Sequence, residues 1–334
     1  MNVWLPAVRA HSGADVFTIR LAHALATRGV RAEIAWLPLR AEYAPWSVRI
    51  PKVPAGTDLA HINSWLPARF IPKALPVVTT VHHVVHDPAM TPYKTRAQTL
   101  YHRAWIRRIE THAISCADAV TAVSHYTARQ TTAAFGPRTL TVIPHWIDAE
   151  RFSPAPQSAP HTPFRLLYVG NWSRRKGADL LAPIMRRLGP AFELRFTTGA
   201  RPQSAPHDLP SNMIALGLLS GTDALVSAYR FADALLAPSR LEGFGLAALE
   251  AQACGLPVIA ADASALPEVV AHGHTGFLCP PDDIDAFAGA ARILAKDHAL
   301  WRSMRDAARA RVRQLFSDDV ALPAYVEVYR RVLG

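Results

Sequence analysis

Short runs of consecutive apolar residues alternate with longer segments whose apolar residues recur at helical spacing. The series runs twice along the chain, on either side of a proline-rich break. A run that is apolar on successive residues is buried on both faces, the pattern of a strand in a parallel sheet covered by helices. In the first series, strands are expected at 2–5, 30–37, 59–62, 76–81, 119–123 and 140–143. Helices are expected at 16–27 (closed by Gly29), at 91–115, and from the cap Ser124 to 134. Residues 144–163 hold five prolines and little periodicity. Then come strands at 165–169, 192–198, 213–215, 234–238 and 257–261, and helices from Gly177, at 222–231, 284–295, 299–315 and, after a break at 316–318, 320–333. Such alternation predicts an α/β chain of two doubly wound parallel sheets facing across a cleft, and 334 residues suit two such domains. Ligands of such sheets bind at the carboxyl ends of the strands. The loops at 11–15, 82–87, 170–177 and 239–246 are therefore the candidate site.

One of these loops carries most of the chemistry. In Ser239-Arg240-Leu241-Glu242-Gly243-Phe244-Gly245-Leu246, followed at a helical turn by Glu250, two carboxylates bracket a glycine-rich turn that opens a helix. The amides of Phe244, Gly245 and Leu246 sit where a helix start leaves donors unpaired, which suits an anion. Glu250 suits hydroxyls beside it. A nucleotide-diphosphate sugar offers both groups. The bland alternative is a helix start with a favourable acid and one surface glutamate. A dinucleotide fingerprint also fits Gly243-Phe244-Gly245 with Ala248, with Asp262 as the ribose acid, but it leaves Glu242 and Glu250 without a role. A second loop, Val169-Gly170-Asn171-Trp172-Ser173-Arg174-Arg175-Lys176-Gly177, delivers three cations onto a helix start, where the dipole disfavours them unless an anion lies between. It is no P-loop, because the Gly-Lys-Ser/Thr ending is absent. Its bland alternative is a solvated basic loop.

These residues resemble the retaining glycosyltransferases of family 4, which have the two-domain GT-B fold. The segment from Pro238 through Glu250 to Ile259 resembles the family's two-glutamate motif. Leu266-Pro267-Glu268-Val269-Val270 and Gly273-His274-Thr275-Gly276-Phe277-Leu278 continue it in order. Upstream, 119–124 and 142–148 resemble the family's approach to its interdomain linker. The resemblance implies an acceptor-side Rossmann-like domain at 1–148 and a nucleotide-sugar-binding one at 149–317. The last helix, 318–334, is expected to pack back on the first. It further implies that Glu250 binds the donor's ribose hydroxyls and that Glu242 faces the transferred sugar. Lys176 would bind the diphosphate together with the amides of Phe244, Gly245 and Leu246. Gly13 would approach the same phosphates, and His82 would lie near the reacting sugar. Two departures matter. Asn171 stands where the family has arginine, for which Arg174 is the favoured substitute and Arg175 the alternative. Ser12-Gly13 stands where two glycines are common.

The same resemblance implies a metal-independent enzyme with no cofactor beyond its donor. His82, His83, His86 and Asp87 invite a metal reading, but neighbouring strand residues point to opposite faces, so His82 and His83 would not ligate together. Asp283 and Asp285 precede an apolar helix and read as an N-cap. A formal net charge of +10 favours anionic partners. The basic residues are scattered and form no nucleic-acid module, so nucleic acid is not expected. Basic and aromatic residues mix through 93–109, as on a helix lying on an anionic membrane surface, without forming one clean apolar stripe. No apolar run reaches membrane-spanning length, and Pro6 and Arg9 interrupt any signal-peptide core. A cytoplasmic protein is therefore expected, with peripheral association at the inner face of the plasma membrane a further expectation. Cys116, Cys254 and Cys279 read as buried free thiols.

The resulting expectation is transfer of a hexose from a nucleotide-diphosphate sugar to a hydroxyl of a glycan or lipid-linked acceptor, in cell-surface polysaccharide or glycolipid synthesis. The alternatives are a GT-B isomerase or phosphorylase, and a silent nucleotide-sugar-binding protein.

Overall fold

The computed structural model describes residues 1–10, 12–199 and 208–334. His11, at the head of the expected 11–15 turn, lies outside the described residues. The chain divides into two compact units, Met1–His145 with Asp318–Gly334, and Trp146–Ser317.

In the first unit the order is β1 (Asn2–Val8), α1 (Gly13–Thr27), β2 (Arg31–Leu37), α2 (Arg40–Tyr43), β3 (Leu59–Asn63), β4 (Val77–Val81), α3 (Arg96–Tyr101), α4 (Arg107–Ser115), β5 (Ala119–Ala122), α5 (His125–Phe135) and β6 (Thr141–Val142). The sheet is parallel with order β2-β1-β3-β4-β5-β6. The order reverses between β1 and β3, which makes their loops the switch point of the sheet. β1 runs past the expected end at Leu5. β3 pairs only with Val3 and Trp4, so Pro6 extends the strand without costing a bond on that side.

The expected 91–115 helix is not continuous. A 3₁₀ turn, Pro88–Tyr93, ends at Lys94, and Thr95 and Gln98 then form a capping box that restarts the helix. A π-helical turn, His102–Ile106, separates α3 from α4.

The second unit runs β7 (Phe164–Tyr168), α6 (Ala178–Leu188), β8 (Phe192–Thr197), β9 (Met213–Gly217), α7 (Thr222–Phe231), β10 (Ala234–Ala237), α8 (Leu246–Ala253), β11 (Val258–Ala261), α9 (Leu266–Val269), β12 (Gly276–Cys279), α10 (Ile284–Lys296) and α11 (His298–Leu315). Its sheet is parallel with order β12-β11-β10-β7-β8-β9. The switch point falls between β7 and β10. Gly276 admits β12 to the edge, because a Cβ there would meet the Val258 carbonyl oxygen at 2.0 Å. α12 (Asp318–Leu333) belongs to the first unit and buries Tyr325 and Tyr329 against His61.

Cys254 and Cys279 are buried, but Cys116 is exposed, correcting the expectation for that thiol. It lies just past the end of α4, where the chain turns at the surface. Among the described residues no helix is long and apolar enough to cross a membrane.

Candidate active site

The two loops at the β7/β10 switch point are bound to one another. Ser173 caps a 3₁₀ turn, Arg174–Lys176, and Gly177 follows at φ +70°. A Cβ on Gly177 would lie 2.1 Å from the Pro238 carbonyl oxygen, so only glycine lets the loop after β7 sit against the end of β10. The Arg240 amide donates to the Arg175 carbonyl at 3.0 Å. The Arg240 guanidinium takes both oxygens of Asp179 at 2.7 and 2.9 Å, Asp282 at 2.6 Å, and the Arg174 carbonyl. Such a forked, largely buried arginine fixes both loops as one body.

On this platform Lys176 Nζ lies 2.5 Å from Glu242 Oε1. Arg175 turns inward and donates to the Leu241 carbonyl at 2.8 Å. Burial pushes the Glu242 carboxyl up. The charges of Lys176 and Arg175, with hydrogen bonds from Lys176 and Ser239, outweigh that and hold it below the usual carboxylate range. The Glu242 amide donates to Ser264 Oγ at 2.8 Å, with Ser264 itself at φ +53°. Arg174 is exposed. The inward-facing arginine is thus Arg175. Asn171 fills the space beside Gly199, where a Cβ would fall 1.8 Å from its Oδ1.

Gly245, at φ +110°, opens α8 and lies close to Leu266. The amides from Leu246 onward are those that a helix start leaves without intrahelical acceptors. The Phe244 ring is buried edge-on against Phe316 at 5.8 Å. Glu250 is one turn into α8 and largely buried. The Tyr229 hydroxyl donates to its Oε2 at 3.0 Å. Burial and the neighbouring Glu250 charge push the Tyr229 hydroxyl well above its ordinary pKa, so it stays a donor.

In the first unit, Gly13 is the first residue of α1, just beyond β1. Asp15 holds that turn, accepting from the Ala10 amide at 3.1 Å and the Ser12 hydroxyl at 3.2 Å. His82 follows β4. Its Nε2 is 2.8 Å from Asn63 Oδ1, its ring stacks on His145 at 5.4 Å and 7°, and Phe17 meets it edge-on at 4.6 Å. Burial lowers the His82 pKa to about 3. Among the described residues no group of three His, Cys, Asp or Glu side chains is arranged to hold a metal ion. His86 is instead paired with the buried Glu110 at 3.1 Å, and Asp87 caps a 3₁₀ turn. Asp283 caps α10, while Asp285 pairs with Arg187.

The structure thus brings Lys176, Glu242, Gly245, Leu246 and Glu250 to one switch point, and Gly13 and His82 to the strand ends of the other sheet. Sequence reasoning missed Arg240, Ser264, Tyr229, Asn63 and His145 as supporting residues. Only Arg240 carried a signal, from its place beside the glycine turn.

Two doubly wound parallel sheets, with a lysine–glutamate pair and a glycine-opened helix at one switch point, define the GT-B class. Residues 150–311 match the family model described as Glycosyl transferases group 1, and residues 37–151 match Glycosyltransferase Family 4. The two matches together span residues 37–311, and with the GT-B architecture they support a glycosyltransferase. It is 28% identical over 291 residues to glycogen synthase of Mycobacterium tuberculosis, covering 81% of this chain and 68% of that protein. Among solved structures, sucrose-phosphate synthase from Thermosynechococcus elongatus superposes with TM-score 0.79 at 21% identity, covering 99% of both chains. HepE from Anabaena in complex with UDP-glucose superposes with TM-score 0.75 at 17% identity, covering 99% of this chain and all of that one (100%). At these identities the structural likenesses concern the fold.

Proposed function

We propose that this chain is a retaining, metal-independent hexosyltransferase that uses a nucleotide-diphosphate sugar and delivers the hexose to a hydroxyl of a glycan or lipid-linked acceptor. The observation that carries this reading is the Lys176–Glu242 pair, 2.5 Å apart at the β7/β10 switch point. A lysine already held by a carboxylate is a cation kept in place without its anion, and an incoming diphosphate competes for it. Lys176 and the inward-facing Arg175, with the amides of Phe244, Gly245 and Leu246, bind the diphosphate and stabilise the charge that builds as it departs. These groups supply the positive charge that a divalent ion supplies in other transferases. Glu250 receives the ribose hydroxyls, Glu242 orients the hexose, Gly13 approaches the phosphates, and His82 accepts from a sugar hydroxyl. The bond from the anomeric carbon to the diphosphate oxygen breaks and the bond to the acceptor oxygen forms on the same face. The acceptor's proton passes to the departing phosphate oxygen. A UDP-glucose complex of HepE and the glycogen synthase relative support a nucleotide-sugar donor.

The role in cell-surface polysaccharide or glycolipid synthesis, at the cytoplasmic face of an anionic bilayer, draws on a second observation. Leu39, Tyr43, Trp46 and Ile50 are exposed around α2, and Leu100 is exposed on α3. Tyr101 and Trp105 bond to Glu42 and join the two segments. Arg40, Arg49, Arg96 and Arg103, on the same two stretches of chain, are also exposed. Exposed aromatic and aliphatic groups on stretches that also expose arginine suit a headgroup boundary.

The test is a thermal-shift panel of nucleotide sugars, followed by the proton coupling constant of the product's anomeric hydrogen. One donor that stabilises the chain and yields product of the donor's own anomeric configuration is expected. An inverted product, free sugar alone, or sugar phosphate alone overturns the reading.

A further inference from the structure

We propose that Asn63 and His145 are positioning residues that hold His82 as the neutral tautomer with its proton on Nε2, leaving Nδ1 as a fixed acceptor for a hydroxyl of the bound sugar. The choice of a sugar hydroxyl rests on the functional reading above. The tautomer does not.

Asn63 closes β3, and the β3/β4 register sets it beside Thr80, two residues before His82. Its Oδ1 only accepts, so at 2.8 Å the Nε2 atom of His82 must donate. A neutral imidazole carries one proton, which leaves Nδ1 bare. That atom is buried and has no hydrogen-bond partner among the described residues. Buried acceptors are normally satisfied, and this one lies just past the carboxyl end of a central strand, on the side where such sheets bind ligands.

The second half of the device is the stack. The His82 and His145 rings are nearly parallel at 5.4 Å, both against Phe17. Two imidazoliums so placed would repel. Among the described residues, the other titratable or charged groups acting on the pair are His61 on β3 and Arg20 on α1, with Tyr325 and Tyr329 of α12 against His61. Burial, to which the His145 and Phe17 rings contribute, is what disfavours an imidazolium at His82, while His61 and His145 are themselves held neutral by burial and by His82. A ring that stays neutral keeps its lone pair, and a ring whose Nε2–H is engaged keeps that lone pair at Nδ1. His82 then acts as a fixed dipole rather than as a base.

The test is a two-bond nitrogen–proton spectrum of the histidine-labelled full chain, with His82 assigned by its loss in His82→Gln. The expected result is an unprotonated Nδ1 and a protonated Nε2 that do not titrate between about pH 6 and pH 8. Asn63→Leu is expected to mix the tautomers and to lower kcat/KM on the order of tenfold. Asn63→Asp keeps an acceptor but adds a negative charge. It is expected to make His82 titrate, so that activity is lost on the acid side and recovered at higher pH. His145→Ala is expected to move the His82 titration upward without changing the tautomer. A wild-type His82 protonated on Nδ1 or titrating near neutrality overturns the proposal, as does an unchanged His82 spectrum in Asn63→Leu. The expected spectrum in a chain that turns over no nucleotide sugar would instead sink the functional reading and leave the tautomer standing.

Discussion

Lys176 and Glu242 come from loops 66 residues apart, yet their charged atoms sit 2.5 Å from one another. Gly177 brings the two loops together and Arg240 binds them. The pair is therefore a property of the sheet order, which sets β7 beside β10.

Glu242 has a depressed carboxyl pKa, so its contribution to stability is present at neutral pH and is lost as pH falls through that depressed value. Lys176→Met leaves a largely buried carboxylate short of its main cation. It is expected to cost roughly 1–3 kcal/mol at pH 7, less than for a fully dry pair because both side chains keep some water contact. Its Glu242 titrates higher, so the gap in Tm from wild type should narrow on acidification from pH 7 to about pH 5. Thermal unfolding across that range checks it. A constant gap would show that the pair is electrostatically idle.

Gly177 and Gly189 separate two effects of a substituted glycine. Both have positive φ, but a Cβ on Gly189 meets nothing within 4 Å while one on Gly177 meets Pro238. Gly189→Ala is expected to cost about 1 kcal/mol of backbone strain and to leave kcat/KM intact. Gly177→Ala should cost more and lower kcat/KM as well, because it parts the two loops. Chemical denaturation and steady-state kinetics on both variants make the comparison. Equal behaviour of the two would contradict it.

Glu250 and Tyr229 should divide binding from support. Glu250→Gln keeps an acceptor for the Tyr229 hydroxyl but removes the charge offered to ribose. A loss of nucleotide affinity of roughly 10–100-fold with little change in Tm is expected, from the strength of hydrogen bonds to a charged acceptor. Tyr229→Phe removes a buried donor to Glu250, and should lower stability by about 1–2 kcal/mol. Calorimetric titration with the free nucleoside diphosphate and thermal unfolding separate the two. An unchanged affinity in Glu250→Gln would remove the ribose assignment.

The exposed patch around Trp46 and Leu100 gives a further outcome. Sedimentation with phosphatidylglycerol vesicles is expected to carry the wild-type chain down at low salt, and Trp46→Ala with Leu100→Asp should abolish this without loss of fold. Equal sedimentation of wild type and double variant would contradict the membrane assignment.

The α/β class was legible because strands buried on both faces leave continuous apolar runs, as at Ala234–Ala237 and Val258–Ala261. The loops at 170–177 and 239–246 were legible because a close approach demands glycine, and Gly177 and Gly245 are where the backbone requires it. The break within 91–115 also had its signal, a threonine three residues ahead of a glutamine, which the surrounding helical residues masked. The contacts of Glu250 with Tyr229 and of His82 with Asn63 had none. They join residues 21 and 19 positions apart through the sheet order, and no local pattern encodes such a meeting. The exposure of Cys116 was likewise hidden, because its apolar neighbours belong to a helix that ends just before it.

The most direct measurement is the rate of nucleoside diphosphate release from the stabilising donor and an acceptor hydroxyl, in wild type, Lys176→Met and Glu242→Gln. Turnover is expected in the wild type, with a fall of roughly 100-fold or more in both variants, the scale of losing one preorganised group at a developing charge. Near-normal turnover in both variants would contradict it.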